Sequence, residues 1–165
     1  MIVDTLTPYN SSILLKNLNT LKQKYTFLKS DVIGYSVLGK PIHSVIIGTG
    51  KKQVFYFGAI HANEWIVTPV LMKFIEDFSI AYSLNSKIGG ENASKIFNDV
   101  SIYIVPMVNP DGVDLVTGAL SKNTASYIYA KDISIKYPSI PFPSGWKSNI
   151  NGVEFINFHF FISKK

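Results

Sequence analysis

Residues 53–69, QVFYFGAIHANEWIVTP, combine a predicted strand, a short polar loop and the predicted start of a helix. The run VFYFGA is apolar on both faces, which is typical of an interior strand in a covered sheet rather than of an edge strand. Thr68 and Pro69 fit the N-cap and the first residue of the helix. His61 and Glu64 lie between strand and helix, where α/β folds open their ligand crevices. The stretch therefore predicts an α/β fold with a functional site at this strand end.

The segments around this stretch alternate between the helical and the strand period. Residues 10–29 place apolar side chains at steps of four and three residues, which predicts an amphipathic helix. Strands are predicted at 32–38, 42–47, 53–58 and 100–105. Because the first strands are joined tightly and the later ones through helices, the pattern predicts a layered α/β/α domain with a mixed sheet.

The connecting segments carry weaker signals. The helix after Pro69 is predicted to turn one apolar side to the core, formed by Val70, Leu71, Phe74, Ile75, Phe78 and Tyr82. Residues 85–92 read as a loop around two glycines, and Asn-Pro-Asp-Gly at 109–112 fits a type I turn. Residues 122–137 are weakly helical, and prolines keep 138–145 irregular.

Composition excludes several classes of site. All sixteen basic side chains among the 165 residues are Lys, and there is no Cys. The lack of Cys excludes disulfide frameworks, thiolate nucleophiles and Cys-based metal sites. Without Arg, anions must be bound by Lys ammonium groups or backbone N–H groups. The net charge is +5, but the lysines are scattered, so we expect no nucleic-acid partner.

The sequence shows no targeting or membrane segment. Residues 1–10, MIVDTLTPYN, contain an early Asp and no apolar core of a signal peptide. No stretch approaches the roughly 18 consecutive apolar residues of a membrane helix. We therefore expect no export signal, no membrane span and a cytoplasmic location.

His61 and Glu64 are the candidate metal ligands. Imidazole nitrogen and carboxylate oxygen both bind Zn²⁺, and a bend between strand and helix lets residues three apart converge. A catalytic zinc needs one more protein ligand and an open water position. His43, in a predicted strand, and His159, near the end of the chain, are the remaining histidines. The alternative is a surface His that is hydrogen-bonded to a neighbouring Glu.

Three stretches resemble one known family, the zinc carboxypeptidases related to carboxypeptidase A. They are GAIHANEWIVTPVLMKFIED at 58–77, VPMVNPDGVDLVTG at 105–118 and YPSIPFPSGWKSNINGV at 137–153. The last is most similar to the bacterial branch that cleaves γ-D-glutamyl–diamino acid bonds in cell-wall stem peptides. The resemblance covers about 9–153 and implies a zinc-dependent metallopeptidase with Zn²⁺ as cofactor and a peptide substrate.

The resemblance also assigns roles to individual residues. His61 and Glu64 match the first two zinc ligands of the family. Trp146-Lys147 is similar to the family's Trp-Arg step, which implies that Lys147 polarises the scissile carbonyl and steadies the oxyanion. Its alternative is a solvated loop Lys after a Trp that anchors the loop. The missing Arg fits the endopeptidase-like branch, since true carboxypeptidases hold the substrate's terminal carboxylate with Arg.

The resemblance stops at Val153. The family continues with Asp-Leu-Asn, whereas this chain reads Glu-Phe-Ile-Asn at 154–157. The family's third ligand, a His, and its catalytic Glu belong to a later half. We therefore expect residues 1–165 to form a single incomplete domain, the N-terminal half of a zinc carboxypeptidase-like fold, with an aberrant tail at 154–165. A catalytically inactive fragment is the alternative to an active enzyme, and a partner chain is unknown.

Overall fold

The computed structural model describes residues 1–154 of the chain. The strands are β1 (Lys29–Tyr35), β2 (Pro41–Ile47), β3 (Lys52–Phe57), β4 (Lys87–Ile88), β5 (Glu91–Asn92) and β6 (Val100–Val105). The helices are α1 (Ser11–Lys24), α2 (Val67–Ser83), α3 (Ala93–Asp99), α4 (Pro110–Val116) and α5 (Ala125–Ser134), with a 3-10 turn at Ala62–Glu64. Of the predicted aberrant tail, only Glu154 falls within the described residues.

The main sheet is mixed, with the strand order β1-β2-β6-β3. β2 pairs antiparallel with both β1 and β6. β3 and β6 run parallel, and Phe57 lies opposite Val105 at their carboxyl ends. β4 and β5 form a separate small ladder. The combination of helices with a mixed sheet confirms the predicted α/β class.

One hydrophobic cluster joins the sheet to α1 and α2. Its fully buried side chains include Leu18, Leu21, Val45, Ile47, Met72, Ile75, Phe78 and Ile104. Burying a side chain of this size stabilises a fold by about 1.5–3 kcal/mol. The helix predicted at 10–29 is confirmed over α1, where the side chain of Asn10 caps the first turn by accepting from Ile13 N at 3.0 Å.

The start of α2 differs from the prediction. The helix begins at Val67, and its N-cap residue Ile66 makes no capping hydrogen bond through its side chain. Thr68 is buried, and its hydroxyl donates to the carbonyl of Pro106 at 2.8 Å. The predicted cap at Thr68 is wrong because this long-range bond uses the hydroxyl. The buried side of α2 also differs from the predicted one, since Val70 is 60% exposed and Met72 is fully buried.

Two of the observed helices, α3 and α4, were not predicted from the sequence. α3 follows the predicted loop at 85–92, which contains β4 and β5, and is capped by Asn92 through Ser94 N at 2.8 Å. The predicted turn at 109–112 is instead the start of α4, with Asn109 as N-cap and Pro110 at the first position. An Asn-Pro step serves either element, and burial of Leu115 favours the helix. The helix predicted within 122–137 is confirmed over α5.

β3 lies at an edge of the sheet in the described part of the chain, where it pairs with β6 alone. The prediction of an interior strand is therefore wrong for residues 1–154. Phe55, Tyr56 and Phe57 are 54%, 46% and 48% exposed. The apolar run makes both faces suitable for burial, but composition does not specify which segment supplies a second neighbour.

A partly buried ion cluster holds the connection between β1 and β2 against α4. Lys40 Nζ lies 3.2 Å from Asp111 Oδ1 and 2.7 Å from Asp114 Oδ2. Asp111 also accepts from Leu38 N at 2.9 Å, and Asp114 accepts from the hydroxyl of Ser11 at 2.6 Å. These contacts fix α4 at the carboxyl end of the sheet.

None of the helices within residues 1–154 is long and apolar enough to cross a membrane.

The packing of α4 generates a prediction about Gly112. A Cβ at this position would lie 2.7 Å from Ala62 Cβ and from Asn109 Nδ2. Gly112→Ala is therefore expected to lower the free energy of unfolding by about 1–3 kcal/mol in denaturant titrations. Gly34→Ala is the matched control, because no atom lies within 4 Å of its added Cβ. Equal stability of Gly112→Ala and the wild type would contradict the close packing.

The environment of His43 generates a pH prediction. Burial and the nearby Lys22 lower the pKa of His43 from its ordinary value of 6.5. Below that value the unfolded chain binds more protons at this ring than the folded chain does. The free energy of unfolding therefore decreases as the pH falls. His43→Gln should therefore lose less unfolding free energy than the wild type between about pH 7.5 and about pH 5.5, as urea titrations would measure. A parallel loss in both proteins would refute this.

Candidate active site

The loop after β3 brings His61 and Glu64 together. Glu64 N donates to the carbonyl of His61 at 3.1 Å, which closes the 3-10 turn. His61 Nδ1 then lies 3.0 Å from Glu64 Oε1, with side chains that are 20% and 51% exposed. The bend between strand and helix therefore lets these residues converge at the surface. Their role as metal ligands stays a prediction.

The donor chemistry of this pair suits Zn²⁺. Imidazole nitrogen and carboxylate oxygen bind the ion at about 2.0–2.2 Å, which places two ligands of one tetrahedral ion roughly 3.4 Å apart. The observed 3.0 Å between His61 Nδ1 and Glu64 Oε1 is a hydrogen-bond contact, a few tenths of an ångström shorter than that separation, so it also matches the alternative of a surface His bonded to its neighbouring Glu. His61 Nε2 is buried and lacks a hydrogen-bond partner among residues 1–154. The pair therefore fits two positions of a zinc site.

A third ligand is absent from the described residues. Within 1–154, no group of three or more His, Cys, Asp or Glu side chains is placed to hold a metal ion. His43 lies in β2 opposite Val32 and belongs to no such group within these residues. His159 lies outside the residues that the structure describes.

Lys147 lies on a second loop, which contacts the His61 loop. The N–H of Ala62 donates to the carbonyl of Lys147 at 3.0 Å. Trp146 is buried in a small cluster with Ala62 and Leu115, which packs the two loops against α4. The Lys147 side chain is exposed, and no ion pair found within residues 1–154 includes it. Its loop therefore lies beside the candidate ligands, while its catalytic role stays a prediction.

A cavity of about 480 Å³ opens beside the second loop. Aromatic side chains of Tyr137, Phe142 and Trp146 form part of its wall, and Lys147 and Glu154 add opposite charges. An apolar wall with a few charged groups is typical of sites that bind small molecules or side chains. The cavity is therefore large enough for a small molecule or a side chain next to Lys147.

The sequence marks 109–112 as a structural segment, but it does not reveal the distant partners through which the buried polar residues hold α4 at the site. Asn109 is 3% exposed, and its side chain lies between the two loops, in contact with backbone carbonyls of both. Asp111 is bound by Lys40 and by the N–H of Leu38, so it is a structural residue. The Asn-Pro step was a signal for the cap, but no local pattern reveals the partner loops, which are distant in sequence.

The comparisons with known proteins identify a family and relatives of this chain. The family model described as zinc carboxypeptidase matches residues 14–153. The chain is 40% identical over 146 residues to gamma-D-glutamyl-L-diamino acid endopeptidase 1 of Lysinibacillus sphaericus, covering 88% of this chain and 36% of that protein. It is 35% identical over 148 residues to protein YqgT of Bacillus subtilis, covering 88% of this chain and 39% of the relative.

Solved structures show the same fold. The carboxypeptidase A of Helicoverpa armigera superposes with a TM-score of 0.58 at 18% identity, over 88% of this chain and 30% of that chain. Bovine thrombin-activatable fibrinolysis inhibitor, in complex with a tick carboxypeptidase inhibitor, gives the same score and identity and 38% coverage of its chain. This chain thus spans less than two-fifths of the length of these relatives. The match over residues 14–153 establishes that the chain belongs to the zinc carboxypeptidase family of metallopeptidases.

Proposed function

We propose that this chain contributes the first part of the active site of a zinc-dependent peptidase, whose substrates are γ-D-glutamyl–diamino acid bonds of cell-wall stem peptides. The observation that carries the proposal is the approach of His61 Nδ1 to Glu64 Oε1 at 3.0 Å, at the carboxyl end of β3 in a member of a zinc metallopeptidase family. The substrate class is supported by the name of the Lysinibacillus relative.

Each candidate residue has a separate task in this proposal. His61 and Glu64 would hold Zn²⁺, which supplies Lewis-acid polarisation of a carbonyl and activation of water. Lys147 presents an exposed ammonium group on the loop that Ala62 binds, where it can stabilise negative charge that develops on the substrate oxygen. The cavity beside Lys147 would receive the adjoining part of the peptide.

A second candidate is a chain that keeps the family's fold but does not turn over substrate. It is favoured by the absence of a third metal ligand from the described residues 1–154. Two ligands alone hold Zn²⁺ weakly, and a metal site contributes less to folding when fewer ligands are in place. The two candidates differ in turnover, although both retain the His61–Glu64 pair.

Metal binding provides the first test. His61→Ala is expected to weaken Zn²⁺ binding by at least about tenfold, because even the loss of an outer partner of a ligand has that effect. Isothermal titration of the folded chain, with atomic absorption after dialysis, measures it. His43→Gln is the matched control and should bind as the wild type does. Unchanged zinc content in His61→Ala would refute the ligand assignment.

Peptide hydrolysis provides the second test. With Zn²⁺ supplied, we expect the diamino acid to be released from a γ-D-glutamyl peptide, and a chelator should abolish the release. Chromatography measures the released diamino acid. Lys147→Ala should lower kcat by about 10²–10³-fold, the usual cost of losing one oxyanion donor, and Lys147→Arg should restore most of it. Lys122→Ala, at another exposed lysine, serves as the control. A zinc-loaded chain without turnover would instead support the non-catalytic candidate.

A further inference from the structure

Asn109 lies where the two loops of the candidate site meet α4. It follows β6 and is the N-cap of α4. Its backbone N donates to the carbonyl of Ala59 at 3.1 Å, which continues the parallel pairing of β3 and β6 beyond the strands. Only 3% of the residue is exposed, so its side-chain amide depends on protein partners.

The side chain of Asn109 uses its acceptor and both of its donors. Oδ1 accepts from Gly112 N at 3.1 Å, which is the capping bond. Nδ2 donates to the carbonyl of Ile60 at 3.3 Å and to the carbonyl of Ser148 at 2.9 Å. An amide nitrogen has two hydrogens, so each carbonyl receives one of them. Every polar group of this buried side chain is therefore satisfied across three segments.

The two carbonyls belong to residues adjacent to the candidate functional side chains. Ile60 directly precedes His61, and Ser148 directly follows Lys147. The bond from Ala62 N to the carbonyl of Lys147 joins the same loops a second time, at 3.0 Å. The His61 loop and the Lys147 loop are thus connected by this bond and by the amide of Asn109.

Helix capping alone does not require Asn at this position. Asp and Ser cap helices about as well as Asn does, since capping needs only an acceptor. The substitution Asn109→Asp would keep the acceptor for Gly112 N, but it would set a carboxylate oxygen against the carbonyls of Ile60 and Ser148. The two donations therefore require the amide specifically.

We propose that Asn109 is a positioning residue that fixes the His61–Glu64 loop relative to the Lys147 loop. The role in catalysis rests on the function proposed above, whereas the mechanical link between the loops does not. A misplacement of reacting groups by about 1 Å can cost on the order of 100-fold in rate, so the link between loops controls the chemistry.

Amide hydrogen exchange of the full 165-residue chain tests the link without any metal. Asn109→Asp is expected to lower the protection of the Ala62 amide by at least tenfold more than that of the Gly58 amide, whose partner is the carbonyl of Val105. The Gly58 amide reports the general change in stability. The Gly112 amide should follow Gly58, because Asp retains its acceptor. Equal losses at Ala62 and Gly58 would overturn the proposal.

Asn92→Asp is the matched control variant. Asn92 caps α3 by accepting from Ser94 N and Lys95 N, and its Nδ2 donates to no group among the described residues. The substitution should leave the protection of Ala62 within about twofold of the wild type. If Asn109→Asp fails to fold, Asn109→Ser replaces it, since Ser keeps a capping oxygen, removes both donations and adds no charge.

Zn²⁺ and Co²⁺ titrations separate the link from the proposed function. Asn109→Asp should weaken binding of either ion at least tenfold, while Asn92→Asp leaves it unchanged. Binding that is equal in the two variants, despite lost protection at Ala62, would overturn the positioning role. If the wild type binds neither ion, the proposed function fails, and the exchange data still decide whether Asn109 links the loops.

Discussion

The parallel pairing of β3 with β6 is the interaction on which the site depends. Both strands run in the same direction, so the residues that follow them emerge at the same edge of the sheet. The ladder continues past the strands, through Gly58 N to the carbonyl of Val105 at 2.9 Å and Val108 N to the carbonyl of Gly58 at 2.9 Å. This ladder sets the His61 loop beside the start of α4, and the remaining contacts refine that placement.

The sequence predicted what depends on local pattern. Runs rich in strand-forming residues and the helical period located β2, β3, β6 and α1, whereas β1 begins three residues before the predicted 32–38. The bend after β3 was enough to expect His61 and Glu64 to converge. Errors arose where a side chain has a distant partner. Thr68 reads as a cap but binds the carbonyl of Pro106, and Asn109 reads as a turn residue but joins two loops. No local rule anticipates such pairs, because the fold itself creates them.

In this chain without Arg, one Lys forms the ion pairs that hold α4. A single ammonium, that of Lys40, lies between Asp111 and Asp114 and reaches both carboxylates. A compact point charge can serve two acceptors on successive turns of a short helix without the fixed plane of a guanidinium. The ammonium offsets one of the two carboxylate charges, and the neutral donors Leu38 N, Ser11 N and the Ser11 hydroxyl bind further oxygens of the pair.

β3 leads into the candidate site and lies at the edge of the sheet within residues 1–154, where a further strand could pair with it. β3, which leads into the His61 loop, pairs only with β6 within residues 1–154. Hydrogen bonds to one neighbouring strand therefore restrain its carboxyl end. A strand that added to this edge would restrain that end further before any metal arrived. Under the proposed metal role of His61, any effect of edge occupancy on metal affinity must be matched by an equal effect of the metal on edge occupancy, because coupling between two binding events is reciprocal.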